Sequence, residues 1–330
     1  MKENATPTMK DVAAEAGVSL GTVSKVVNGL PVGESYRQKV LNAIDKLNYQ
    51  VNSYAQGLKA SKTNTIAFLI PNTYSPFFAQ LTHQVNRQLQ SHNYKMLLCT
   101  TESNIDMEQS YITMAQQNKV DGIIGLTYNP NLVIDDSIPF VSIDRVLGPN
   151  FTCVASDNYA GGQLAAEKLA DLGCKNVAFL RIGSTLNNEP NKRKSGFENG
   201  CMHRGLNYEM VILKDGDSLD SFKDFLSSHQ TSQGFSLDGI FCVTDYLAYQ
   251  VIRFLKELGV RVPEDVQIIG YDGIKHFGTE EYICSTIVQP IEEIAEACVN
   301  AILQFRFSAT PALICLPVEF AYGGTTQKPE

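Results

Sequence analysis

The chain has 330 residues, 44% of them hydrophobic and 19% charged, with a formal net charge of −8. That length exceeds one small core and predicts two to three domains of an ordinary globular protein. Apolar runs stay shorter than the roughly eighteen residues of a membrane span, and the first residues are polar with mixed charge. A transmembrane helix and a signal peptide are therefore not expected, and a cytoplasmic location is. Eight cysteines are scattered without a C-x-x-C pair, and the five histidines lack metal-ligand spacing. Reduced, buried thiols are expected, with no metal and no cofactor. Charge is uneven along the chain. Residues 1–62 carry eight Lys/Arg against five Asp/Glu, and the remainder carries 19 against 30. The only basic region lies at the N-terminus.

In chain order, residues 1–8 read as disordered. Thr8 with Asp11 forms a loose capping box for a first short helix, with Val12, Ala13 and Ala16 on its apolar face. Gly17 ends it, because glycine takes positive φ without strain. Ser19 caps a second helix whose inner stripe is Val23, Val26 and Val27. After the turn at Pro31-Val32-Gly33, Glu34 to Asn48 reads as a third helix with Val40, Leu41, Ile44 and Leu47 on one face. Residues 52–60 have a helical pattern within a short linker, and Ser61 to Asn64 is a polar join.

From Thr65 onward, short apolar runs alternate with amphipathic segments. Strands are predicted at 66–70, 95–99, 122–126, 140–143, 177–180, 210–213, 239–243 and 267–270. Helices are predicted at 77–92, 106–118, 161–172, 192–204, 219–228 and 246–258. Two successive β-α arrays imply two doubly wound parallel sheets. Such sheets bind ligands at the carboxyl ends of their strands, in a cleft between them.

Two short helices around a tight turn, with Thr22, Ser24 and Lys25 on a small polar outer face, have the layout of a helix-turn-helix. An ordinary αα-hairpin shows the same local pattern. The run from Val12 through Asn28, continued by Leu47-Asn48-Tyr49 and by Asn52-Ser53-Tyr54-Ala55-Gln56-Gly57-Leu58, resembles the DNA-binding head of the LacI/GalR (lactose-repressor) family of bacterial transcription regulators. The resemblance extends over essentially the whole chain. It implies an all-α helix-turn-helix domain at 1–51, a hinge helix or linker at 52–62, and an effector-binding and dimerisation core at 63–330. The core would be periplasmic-binding-protein-like, with an N-subdomain at about 63–157 and 289–317 and a C-subdomain at about 158–288 and 318–330.

The resemblance also implies roles. Leu20, Gly21 and Lys25 occupy the base-reading positions, while Thr22, Ser24 and Asn28 suit phosphate contacts. Lys25 stands where arginine is usual and donates as a point charge, without the bidentate fork. Gly21 has no side chain to read with. Modest direct readout is expected, with more weight on DNA shape. Asn52, Ala55, Gln56 and Leu58 match the family's minor-groove hinge helix, in which the leucine wedges between base pairs. Gly57 weakens that helix, so an ordering step on DNA is expected.

In the core, Ser75, Phe77 and Phe78 resemble the family's P-F-F segment after the first strand. Asp144-Arg145 stands at its D-R position and Asp157-Asn158 follows another strand. Arg193 precedes Gly196-Phe197 as the family's ligand-binding arginine precedes G-F. Asp245 follows a strand, with Thr244 where relatives have Asn or Ser. Asp272 matches G-[YF]-D, and Gln289 lies where the chain recrosses between subdomains. Carboxylates, arginine and amides with two aromatic rings suit a polyhydroxyl ligand. P-loop and G-x-G-x-x-G motifs are absent from the sequence, so an enzyme is not expected.

The reading is a sugar-responsive transcriptional repressor, binding a pseudo-palindromic operator as a homodimer under allosteric control. A purine effector or a phosphoprotein co-effector is the alternative within the family. A solute-binding protein is the alternative of another class, which residues 9–58 oppose. The C-terminal stretch carries no leucine heptads, so dimers are expected rather than tetramers.

Overall fold

The computed structural model describes residues 7–49, 62–127, 129, 131–135, 138–148, 150–183, 188–214, 216–305 and 312–328. The hinge expectation for Asn52, Ala55, Gln56 and Leu58, and that of disorder before Pro7, lie outside these residues. The chain divides into two compact units, Met1–Thr63 and Asn64–Glu330.

The first unit holds α1 (Met9–Ala16), α2 (Leu20–Val27) and α3 (Glu34–Leu47). The Thr8 amide and hydroxyl both donate to the Asp11 carboxylate, which fixes the start of α1. Gly17 ends α1 at φ 62°, the left-handed conformation that its lack of Cβ permits. Ser19 then accepts from the Thr22 amide at 3.1 Å and starts α2. Val12, Ala13, Ala16, Val23, Val40 and Ala43 form the small core. A Lys46–Glu15 ion pair at 2.7 Å ties α3 to α1. Leu41, expected on the inner face, is exposed. Ala43 takes that place, because α3 turns its 40–43–44–47 stripe toward α1.

The second unit opens with β1 (Thr65–Ile70), α4 (Pro76–Ser91), β2 (Lys95–Thr100), α5 (Ile105–Gln117), β3 (Gly122–Leu126), β4 (Phe140–Ile143) and β5 (Thr152–Ser156). It continues with α6 (Asn158–Asp171), β6 (Asn176–Ile182), α7 (Lys192–Arg204), β7 (Asn207–Leu213) and α8 (Asp220–Ser228). A small antiparallel hairpin, β8 (Gln230–Thr231) and β9 (Gly234–Phe235), precedes β10 (Gly239–Cys242), α9 (Asp245–Glu257) and β11 (Gln267–Asp272). The last elements are β12 (Ser285–Val288), α10 (Ile291–Leu303), β13 (Leu313–Leu316) and β14 (Glu319–Ala321). The structure thus adds β5, the β8–β9 hairpin and everything from β12 onward to the predicted alternation. It also starts α6 three residues early, because Asp157 caps it by accepting from the Ala160 amide at 2.9 Å.

Two six-stranded sheets result, ordered β13-β5-β4-β3-β1-β2 and β14-β12-β11-β10-β6-β7. All their pairings are parallel except that of β14 with β12. Near-continuous burial of β1, β3, β4 and β10 explains their unbroken apolar runs, since helices cover both faces. The chain passes between the sheets three times, after β5, after β12 and after β13. Among the described residues no helix is long and apolar enough to cross a membrane.

Helices α6 and α7 approach backbone to backbone through glycines. A Cβ on Gly162 would fall 2.1 Å from the Arg193 carbonyl oxygen, and one on Gly196 would fall 2.0 Å from that of Tyr159. Such overpacking against rigid backbone costs about 1–3 kcal/mol or forces the helices apart. Gly196→Ala and Gly162→Ala are therefore each expected to lower the unfolding free energy of the core by at least that order in chemical denaturation. Wild-type stability in both variants would show that the helix pair spreads freely.

Candidate functional site

In each sheet the strand order reverses beside the first strand of its array, at β1 and at β6. Polar segments leaving the carboxyl ends converge there, as open α/β sheets dictate. A cavity of about 270 Å³ lies between them. The first sheet's side contributes Asn72, Ser75, Phe77, Phe78, Ser103 and Asp144. The second contributes Arg181, Asn188, Arg193, Thr244 and Asp272, and Gln289 sits at a crossing.

Arg193 is the centre of this site. Its Nε donates to Asn158 Oδ1 at 2.7 Å and its Nη1 to the Val243 carbonyl at 2.6 Å. Its guanidinium lies 3.5 Å over the Tyr271 ring. Gly161 makes room for that ring, since a Cβ there would fall 2.7 Å from it. Asn158 is in turn fixed by donating to the Ser156 carbonyl at 2.9 Å. Arg193 therefore reaches the cavity with its orientation set from three sides.

Two buried carboxylates face it. Burial raises the Asp144 carboxyl to about 6 against the opposing pull of Arg193, and Glu189 adds to the rise. Burial likewise raises Asp272 to about 8, with Arg193 opposing and Asp245 reinforcing. Both residues hold left-handed backbone, at φ 61° for Asp144 and 131° for Asp272. Non-glycine residues kept there mark sites over-determined by their surroundings. Gln289 donates to Asp272 Oδ1 at 2.8 Å and accepts from Ser156 Oγ at 2.8 Å. Across the cleft the Glu189 amide donates to the Asp144 carbonyl at 2.9 Å, and Lys192 pairs with Glu189 at 2.7 Å.

The structure brings Ser75, Phe77, Phe78, Asp144, Arg193, Asp272 and Gln289 of the expected residues to the cavity wall. It places four others behind or beside it. Asp245 is fully buried and accepts from the Ile274 amide at 2.7 Å and from Thr286 Oγ1 at 2.6 Å. It secures the turn after β11, and Thr244, the residue before it, lines the cavity instead. Arg145 donates an Nη1 bond of 2.5 Å to the Asn129 carbonyl and faces Glu108. Asp157 caps α6 and Asn158 holds Arg193. Arg181, Asn188, Asn72 and Ser103 line the cavity without having been expected. An arginine in the otherwise apolar run Val177–Ile182 was the available signal.

On the first unit, Leu20, Gly21, Lys25 and Asn28 are exposed along α2, and Thr22 and Ser24 are half-buried. The Thr22 hydroxyl lies 2.9 Å from Ser19 Oγ, and the Asn28 amide donates to the Ser24 carbonyl at 2.7 Å. Lys25 extends from the last turn of α2, and the outer face at Gly21 is bare backbone.

Comparison with known proteins accords with both units. Residues 8–52 match the family described as Bacterial regulatory proteins, lacI family, and residues 66–305 match the Periplasmic binding protein domain. The chain is 32% identical to the Sucrose operon repressor of Pediococcus pentosaceus, over 97% of this chain and 99% of that protein. It is 32% identical to the Ribose operon repressor of Halalkalibacterium halodurans, over 90% of this chain and 89% of that one. Among solved structures, the lac repressor dimer bound to operator and the anti-inducer ONPF has a TM-score of 0.80 at 22% identity, covering 98% of this chain and all of that one. A helix-turn-helix unit and a two-sheet cleft, matched in one chain over nearly its full length, place it in the lacI family of bacterial regulatory proteins.

Proposed function

We propose that the chain is a ligand-controlled transcriptional repressor that binds operator DNA as a homodimer and takes a sugar in the cleft. Residues 1–51 act as the DNA-binding head, 52–62 as the hinge and 63–330 as the effector core. The N-subdomain comprises about 63–157 and 289–317, and the C-subdomain about 158–288 and 318–330. The observation that carries this reading is Arg193, fixed in orientation between Asp144 and Asp272, in a chain that also carries a helix-turn-helix. Hydroxyl pairs of a sugar ring donate to the two carboxylates and accept from the guanidinium, while Phe77 and Phe78, at 61° to each other, offer apolar contact.

Exposed Tyr246 and Tyr249 on α9 flank a groove with Pro76 and Ile283, and Phe277 is fully exposed in the loop between β11 and β12. Large exposed aromatics support the homodimer, since aromatic residues are enriched at protein interfaces. The cytoplasmic location and the lack of enzymatic activity follow from the repressor reading.

Binding-site selection with the full chain is expected to return a pseudo-palindrome with weak preference opposite Gly21. Lys25→Ala is expected to lower affinity for it about 5–100-fold in fluorescence anisotropy. A thermal-shift screen against sugars and purines is expected to yield a sugar that stabilises the wild type and not Arg193→Ala. Selection returning no sequence, or purines alone stabilising the core, would sink the respective halves of the reading.

The raised carboxyls set a pH dependence. A folded-state pKa above the unfolded one makes its contribution complete below the ordinary carboxylate range, and the contribution is lost as pH rises through the folded value. For Asp272 that loss runs from about pH 4 up to about 8. The ligand-free core is therefore expected to melt lower at pH 8 than at pH 6, and Asp272→Asn to flatten that slope. A variant keeping the wild-type slope would contradict the assignment.

A further inference from the structure

We propose that the cleft ligand is a glycoside whose non-sugar part is an aromatic ring, and that the groove lined by Phe77, Tyr246 and Tyr249 holds that ring. The proposal rests on reading the cleft as an effector site and specifies the chemical class of effector.

The groove encloses a second cavity, of about 220 Å³. The start of α4 gives it Pro76 and Phe77, the first turns of α9 give Tyr246 and Tyr249, and the loop after β11 gives Ile274 and Ile283. Ser75, Phe77 and Asp272 line this cavity and the cleft cavity alike, so the two meet along these residues. Neither alone reaches the roughly 300 Å³ at which small-molecule sites commonly begin, whereas the two together do.

The walls of the groove are held from behind. Thr244 caps α9 by accepting from the Leu247 amide at 3.2 Å, which sets the start of that helix. Tyr246 and Tyr249 are three residues apart on it and so share a face. Between them in function stands Asp245, which accepts from the Ile274 amide at 2.7 Å and ties the loop after β11 to α9. The Ile283 amide donates to the Ile274 carbonyl at 2.9 Å. The groove is therefore formed before a ligand arrives, which lowers the cost of binding.

The two cavities call for different chemistry. The cleft presents carboxylates, guanidinium and amides, which suit hydroxyl groups. The groove presents proline, isoleucine and aromatic carbon, and Asp272, the charged member of its lining, is held by Gln289 at the boundary. A second sugar ring there would set hydroxyls against carbon, where unpaired polar groups are costly. An aromatic ring carries no such groups and gains from contact with the Phe77 and tyrosine rings. Apolar cavities of about 150 Å³ admit benzene, so this one has room for a phenyl group. Tyr246 and Tyr249 are 64% and 52% exposed, and such exposed aromatics mark binding surfaces. A ring in the groove covers the side of each that lines it and leaves the rest to the homodimer.

The test is isothermal titration calorimetry on the full chain with matched glycosides. These are the methyl and phenyl glycosides of glucose and galactose in both anomeric forms, with maltose, cellobiose and lactose as two-sugar members. At least one phenyl glycoside is expected to bind about tenfold or more tightly than its methyl partner, and more tightly than the disaccharide of the same sugar. Tyr246→Ala combined with Tyr249→Ala is expected to abolish the phenyl advantage, and the paired changes Tyr246→Phe and Tyr249→Phe to keep it. Methyl and phenyl glycosides binding the wild type equally overturns the aromatic subsite while leaving the sugar-cleft reading intact. So does a phenyl advantage that survives unchanged in the double alanine variant. Disaccharides that gain over the methyl glycosides where phenyl does not overturn the aromatic occupant as well. If no member binds a cooperatively folded wild type, the cleft reading fails with it. The wild-type comparison stands even if the double variant does not fold.

Discussion

The guanidinium of Arg193 is the contact on which the site's architecture turns. It can sit where it does because α6 and α7 touch through Gly162 and Gly196, at distances that no Cβ tolerates. That approach brings Asn158, at the start of α6, within 2.7 Å of an arginine in the first turn of α7. The Val243 carbonyl and the Tyr271 ring then close two more directions. A long, flexible side chain loses about 2 kcal/mol of rotamer freedom when fixed. Here the surrounding fold fixes it in advance, so a ligand meets an ordered donor. Substitution anywhere in this support would loosen the site without touching a ligand.

Asp144 and Asp272 show how the two sheets share one polar centre. Asp144 directly follows β4 and Asp272 ends β11, each in left-handed backbone, one from each sheet. Gln289 joins Asp272 of β11 to Ser156 of β5 at the crossing between them. The Glu189 amide reaches the Asp144 carbonyl from the other side. Relative movement of the two halves must break or remake these few bonds. Polar contacts of this kind are individually worth about 1 kcal/mol, which suits a cleft whose arrangement a ligand can bias.

Most of the architecture was legible because both periodicities are strong. Unbroken apolar strands alternate with amphipathic helices, and the helix-turn-helix carries its caps at Thr8, Gly17 and Ser19. The carboxyl-end rule then localised the cleft, and resemblance picked out Arg193, Asp144 and Asp272. Neighbouring positions were harder for a physical reason. Thr244 caps α9 and lines the cavity, while Asp245, the first residue of that helix, turns into the core. Arg145 beside Asp144 turns away in the same manner, toward Asn129. Arg181 escaped because an apolar run reads as core, and a lone arginine within it carries no spacing. Leu41 was misplaced because one helical stripe accommodates either 40–44–47 or 41–44–48, and only packing against α1 chooses.

The distribution of polar groups also constrains how control can work. A ligand shifts an equilibrium only by its difference in affinity between two arrangements, and a tenfold shift needs about 1.4 kcal/mol. A ligand touching one sheet alone would bind open and closed clefts equally and bias nothing. The lining avoids this, because Asp144 and the start of α4 belong to one sheet while Arg193, Arg181 and Asp272 belong to the other. A ligand that satisfies both sets at once exists only for the arrangement holding them at the right separation. Discrimination between ligands and discrimination between conformations therefore rest on the same contacts.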